Sequence, residues 1–291
     1  MVRMDLRVRA WGWLTRRGVS VARLTDEQVV AMQRRQVPEN PVTGWLFGTR
    51  QPGVSVTDRI IPGPDGGDGI RIRIYAPEPA SELAPGAGPE DARPLIVYYH
   101  GGGFVFGTPR MGDWVCSSAA LRVGAVVVSA DYRLAPAHPF PAAVEDSYAA
   151  LAWASGNAAE LGAGGPIGVA GESAGGNLAA VVCLLARDRG GPAVSHQALM
   201  YAATDMRDSA AASEAVTANP NAPFLSEDEL IAYRRLYLGP DGDPADPRAS
   251  PLLAASHAGL PPALIQVAEH DPLRGHGRAY AAALRAAGVP V

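Results

Sequence analysis

The sequence contains no lysine. Its 25 basic residues are all arginine and are outnumbered by 29 acidic ones, for a formal net charge of -4. A nucleic-acid binder is expected to carry a basic field or patch, and none can be drawn here. Cysteine is nearly as scarce: Cys116 and Cys183 are the only two. They are too few for a disulfide-stapled scaffold and not spaced as a zinc site, which fits a reducing compartment. Long apolar runs are missing as well. No stretch of about 18 apolar residues without charge is present to span a bilayer. Arg3, Asp5, Arg7, Arg9, Arg16 and Arg17 interrupt any secretory apolar segment at the N-terminus. These absences predict a soluble, cytoplasmic protein with no nucleic-acid partner and no membrane span.

The 291 residues are 47% hydrophobic and 19% charged, so the chain has material for a sizeable core and too little charge for a disordered state. From Arg7 to about Met32, Trp, Leu and Val recur among charges at irregular helical spacing, which predicts one or two amphipathic packing helices. Val54 to Ile61 and Ile70 to Tyr75 alternate with period two across a Pro/Gly turn, as antiparallel strands do. Leu95 to Tyr99 is a continuous apolar run and reads as a buried central strand. Strands at 125–130, 167–170, 197–203 and 263–268 then alternate with helices near 111–122, 142–154, 174–187, 226–237 and 277–287. That alternation predicts an α/β fold with a mostly parallel, doubly wound sheet. The Ala/Pro/Asp-rich segment 205–250 is too long for a plain connection and reads as an insertion over the sheet.

Three motifs carry chemistry. Gly171-Glu172-Ser173-Ala174-Gly175 matches G-x-S-x-G and falls where that motif works, after a buried strand and at the start of a helix. The turn presents the Ser173 hydroxyl at the carboxyl edge of the sheet, which makes Ser173 the candidate nucleophile. His100-Gly101-Gly102-Gly103-Phe104 ends the earlier central strand and brings backbone amides close to a reacting carbonyl. Gly102 and Gly103, with Ala174, are the candidate oxyanion donors, and Gly101 lets the loop turn. Asp271, before Pro272, follows the strand at 263–268 and can orient an imidazole; an acid after the serine is the chain order this chemistry requires. Asp241-Gly-Asp243-Pro offers too few ligands for a metal and reads as a turn.

Together with the run Asp131-Tyr132-Arg133-Leu134-Ala135-Pro136 and the following His138-Pro139-Phe140-Pro141, these motifs make the chain resemble bacterial carboxylesterases of the hormone-sensitive-lipase family over about residues 50–291. The resemblance implies an α/β-hydrolase core under a helical cap: cap helices in 1–50, core in 51–204, cap insertion in 205–250, and core again, incomplete, in 251–291. It implies hydrolysis of small-molecule esters of short to medium acyl length with no cofactor and no metal, and a possible homo-oligomer. On this resemblance His100 supports the oxyanion loop and His138 is structural, neither being the base.

In that family the catalytic histidine lies in an HGF-like turn after one further strand. Reaching it from Asp271 takes about 25–30 residues at average element lengths, more than the sequence has left. The chain is therefore expected to be C-terminally incomplete, with its final strand and helix missing and the strand at 263–268 left as a sheet edge. His270 is expected to point away from Asp271 by strand alternation, and His276 to sit at a helix start beside Asp271 without serving as base. His196 and His257 are expected to be solvated. Two other readings stand beside the esterase: a catalytically dead remnant, and a small-molecule-binding module on the same fold, as in plant gibberellin receptors, which resemble this family.

Overall fold

The computed structural model describes residues 20–34, 48–64, 66–78, 92–207 and 225–291. Most of the predicted N-terminal helical stretch and part of the 205–250 insertion lie outside these residues. Seven strands form one sheet: β1 (Val54–Ile61), β2 (Ile70–Pro77), β3 (Leu95–Tyr99), β4 (Val126–Asp131), β5 (Ile167–Glu172), β6 (Val194–Met200) and β7 (Ala263–Gln266). The order is β1-β2-β4-β3-β5-β6-β7. β1 and β2 are antiparallel to each other, β2 is antiparallel to β4, and the five strands from β4 to β7 run parallel.

Six α-helices are described: α1 (Asp26–Gln33), α2 (Asp113–Val123), α3 (Ala142–Gly156), α4 (Ala174–Asp188), α5 (Glu227–Leu238) and α6 (Arg274–Ala286). α4 is the axis of the core. Every residue from Ala174 to Ala186 is buried, which its Ala/Val/Leu composition permits and its two small N-terminal glycines require. Around it pack Leu95, Val97 and Tyr99 of β3, Val169 of β5 and Leu151 of α3. Val126 to Ala130 of β4 are buried on both faces, as expected for a central parallel strand between helix layers.

Sequence reading placed β3, β4 and the five α-helices from residue 113 onward to within a few residues, and misplaced the ends of the last two strands. β6 spans 194–200 rather than 197–203 because Tyr201 turns out of the ladder at φ 38°. β7 ends at Gln266 rather than at residue 268; it stands at the sheet edge, as expected, half-exposed with Leu264 70% exposed. His257 is also buried, not solvated: its Nε2 lies 2.9 Å from the Pro251 carbonyl and its ring meets Tyr280 edge-on. No helix among the described residues is long and apolar enough to cross a membrane.

The Asp131-Tyr-Arg-Leu-Ala-Pro run is pinned from α3. Fully buried Asp146 takes both the Nε and Nη2 of Arg133, at 2.9 and 2.7 Å, and also accepts the Arg133 amide at 2.9 Å. Asp146→Ala removes this buried acceptor from the guanidinium and the amide. Breaking a buried pair costs about 3–5 kcal/mol; because Arg133 reaches solvent, the expected loss is about 3 kcal/mol, read as a lowered midpoint in urea unfolding with unchanged slope.

Candidate active site

Ser173 links β5 to α4 with φ 53° and ψ -117°. That backbone is costly for a residue with a side chain, by about 1–3 kcal/mol, and it is held from three sides. The Ser173 amide donates to the Met200 carbonyl (2.8 Å), while its own carbonyl accepts from Asn177 (3.1 Å) and Ala203 (3.3 Å). The turn is possible because Gly175 passes directly under β3: a Cβ there would overlap the Tyr99 carbonyl oxygen. The Ser173 hydroxyl has no hydrogen-bond partner among the described residues. It stands where the orphan amides at the start of α4, that of Ala174 first, favour developing negative charge.

β3 lies beside β5, with Tyr99 opposite Gly171, so the loop after β3 is delivered next to Ser173. Gly102 bends it at φ 120°, where a Cβ would collide with the Phe106 carbonyl, and the Gly102 carbonyl accepts the amides of Val105 (3.1 Å) and Phe106 (2.9 Å). No acceptor among the described residues takes the amides of Gly102 or Gly103. Three positive-φ residues other than glycine occur among the described residues: Phe104, Ser173 and Tyr201. All three sit at the carboxyl edge of β3, β5 or β6, and strain concentrated there is what a preorganised site would store.

His100 lies beneath this loop, fully buried and stacked on Tyr132 with ring centroids 4.3 Å apart. Its Nδ1 is 2.8 Å from the Gly101 carbonyl and so carries the proton, and the Tyr132 hydroxyl donates to the His100 carbonyl at 2.7 Å. Burial lowers its pKa from 6.5 to about 4. A depressed histidine value means the fold holds the neutral ring. The stability this contributes is complete above pH of about 6.5 and lost as pH falls toward 4, about 3 kcal/mol in all. Asp131, raised to about 6 by burial, works in the opposite direction and softens the net acid loss. In a histidine NMR titration, the ring showing contacts to Tyr132 is expected to titrate near pH 4; a midpoint near 6.5 contradicts this burial.

Asp271 lies in the turn between β7 and α6 rather than on a strand end, so strand alternation does not govern His270 and Asp271. One Asp271 carboxylate oxygen accepts the Leu273 amide at 2.8 Å. Burial raises its pKa against that bond. The negative charges of Glu172 and Asp271 both reach Tyr201, and together with burial they hold its phenol neutral. His276 is not paired with Asp271. It is buried in the first turn of α6, its Nδ1 accepts the Asp205 amide at 3.3 Å, and its carbonyl accepts the Thr204 hydroxyl. Burial lowers its pKa, with Asp205 opposing.

Two residues with no assigned role in the motifs join the loops. Glu172, the variable position before Ser173, accepts the Gly101 amide at 3.5 Å with one oxygen and the Tyr201 hydroxyl at 2.5 Å with the other. It thereby ties the loop after β3 to the strained residue after β6. Among the described residues no cluster of three His, Cys, Asp or Glu side chains is placed to hold a metal.

A profile of the alpha/beta hydrolase fold matches residues 96–291, from β3 through the end of α6. The chain belongs to the α/β-hydrolase family. Its relatives are of the hormone-sensitive-lipase-like kind. It is 48% identical over 245 residues to the carboxylic ester hydrolase LipN of Mycobacterium tuberculosis, covering 82% of this chain and 61% of LipN. To the carboxylesterase NlhH of the same organism it is 46% identical over 246 residues, 82% of this chain and 72% of NlhH. The structure of a hyperthermophilic esterase from the archaeon Pyrobaculum calidifontis superposes with a TM-score of 0.81 at 37% identity, covering 99% of this hydrolase and 87% of that chain.

Proposed function

We propose that this hydrolase carries the acyl-transfer site of a serine carboxylesterase acting on small-molecule esters of short to medium acyl chain. The observation that carries the reading is the Ser173 hydroxyl, strained into position and unpartnered among the described residues, beside a loop whose Gly102 and Gly103 amides are likewise unspent. In the reaction a general base takes the Ser173 proton as Oγ attacks the ester carbonyl. The amides of Gly102, Gly103 and Ala174 receive the charge on the carbonyl oxygen. Collapse expels the alcohol and leaves an acyl-serine, which water then hydrolyses. Asp271 orients the base and balances its positive charge.

The base itself is not among the six histidines of this sequence. His100, His257 and His276 each spend a ring nitrogen on a backbone group. His138 and His196 are exposed, and His270 follows β7, two strand spacings of about 4.8 Å each from β5. The names of LipN, NlhH and the archaeal esterase support the ester substrate class. Prolonged incubation with a fluorophosphonate and peptide mapping tests the nucleophile: the adduct is expected on Ser173, and an adduct on another residue of the folded chain contradicts the reading. A chain that takes no adduct yet binds small esters saturably favours the binding-module reading.

A further inference from the structure

The oxyanion loop is gripped from the cap by a residue far away in sequence. Gln33, the last residue of α1, places its side-chain nitrogen 2.7 Å from the Val105 carbonyl and 2.7 Å from the Ala135 carbonyl. Two carbonyls can be served only by the NH2 side of the amide, so the orientation of the side chain is fixed.

The Val105 carbonyl shares a peptide plane with the Phe106 amide, and that amide donates to the Gly102 carbonyl at 2.9 Å. The Gly102 carbonyl in turn shares a peptide plane with the Gly103 amide, one of the proposed oxyanion donors. The planarity of the peptide unit makes each link rigid. Turning the Val105 carbonyl therefore turns the Gly103 N–H. Ala135, the other acceptor, closes the junction by donating its own amide to the Phe104 carbonyl at 3.0 Å.

α1 is itself well seated. Thr25 and Gln28 form a capping box at its start, and fully buried Val29 packs among Val21, Val105, Ala135, Ala232 and Leu236. Arg235 of α5 reaches Asp26 at 2.9 Å. The Gln33 amide is thus the polar end of an apolar seam between α1, α5 and the oxyanion loop.

We propose that Gln33 is a positioning residue for the oxyanion hole, through which the seating of α1 sets the direction of the Gly103 amide. This rests on the esterase reading for its consequence in catalysis, although the clamp itself can be read without any turnover. It makes the cap helix part of the reaction machinery rather than only a cover over the substrate.

Three substitutions test it. Gln33→Glu keeps the shape and, when ionised, offers only acceptors to two carbonyls. Gln33→Lys restores a donor that can reach both. Asp26→Ala loosens α1 at its other end without touching the clamp. At pH 8, Gln33→Glu is expected to speed hydrogen exchange of the Phe106 amide about tenfold or more. It should also lower kcat of the Ser173-dependent part of nitrophenyl acetate hydrolysis about tenfold, with KM within twofold. An oxyanion donor lost outright costs 10²–10³ in kcat, roughly. Gln33→Lys should return both quantities to within about threefold of the parent, and Asp26→Ala, which loosens the seat of α1, should speed Phe106 exchange in the same direction by a smaller factor. Unchanged Phe106 exchange in Gln33→Glu, or Gln33→Lys behaving like Gln33→Glu, overturns the proposal. A Phe106 response in a chain with no Ser173-dependent turnover upholds the clamp and counts only against the esterase reading.

Discussion

Purified as these 291 residues, the hydrolase is expected to turn over nitrophenyl acetate about a millionfold more slowly than a complete triad on the same fold. The comparison is with subtilisin, where removing the triad serine or histidine costs about 2 × 10⁶ in kcat and leaves only what the oxyanion hole and binding provide, about 10³–10⁴ over water. Ser173 has no hydrogen-bonded base among the described residues, and the buried histidines are committed to the Gly101 carbonyl, the Pro251 carbonyl and the Asp205 amide. Rates ordinary for an esterase, abolished by Ser173→Ala so that host enzymes are excluded, would show that one of these six histidines does act as base. His276, at the start of the helix after Asp271, is then the first to substitute.

Gly175→Ala is expected to be the most damaging single methyl among the described glycines. The added Cβ overlaps the Tyr99 carbonyl oxygen, and the His100 carbonyl also lies within contact range. Both belong to the backbone of β3 and the oxyanion loop, so neither can swing aside as a side chain would. Overpacking of a tight core costs about 1–3 kcal/mol, and a clash between two backbones belongs at or above the top of that range. The substitution should therefore lower stability by about 3 kcal/mol or more and abolish labelling of Ser173. Gly156→Ala is the matched control: nothing lies within 4 Å of a Cβ there, and an effect within about 0.5 kcal/mol is expected. Similar midpoints for the two variants in urea would contradict the close approach of α4 to β3.

The parts of the site that lie within one local motif were legible in the sequence, because local geometry dictates them. A glycine two residues after Ser173 follows from the sharpness of the strand-to-helix turn, and a glycine run after β3 follows from the need to bring amides to the same edge. The central buried strands were legible for a similar reason, since Leu95 to Tyr99 and Val126 to Val128 are continuous apolar runs.

What escaped was non-local. Glu172 occupies the variable position of its motif, and its bond to Tyr201 depends on β6 ending beside β5. Tyr201 leaves the ladder at φ 38° although its amide still bonds the Gln266 carbonyl of β7 at 2.7 Å, a turn with no trace in hydrophobic periodicity. Burial of His257 arises from its bond to Pro251 and its contact with Tyr280, a residue of α6. Gln33 sits at the end of a short helix of weak amphipathic pattern, and its partners are 72 and 102 residues away.

The central claim is that Ser173, the Gly102, Gly103 and Ala174 amides and Asp271 form a preorganised acyl-transfer site that needs only an imidazole. It is tested most directly by supplying one. Fusing after Val291 roughly 25–35 residues from a close relative, enough for a strand, an HGF-like turn and a covering helix, should raise nitrophenyl acetate hydrolysis by several orders of magnitude. The gain should vanish in Ser173→Ala, fall steeply in Asp271→Asn, and vanish when the added histidine is changed to alanine. A folded fusion with no gain, or a gain indifferent to Asp271→Asn, would contradict the account.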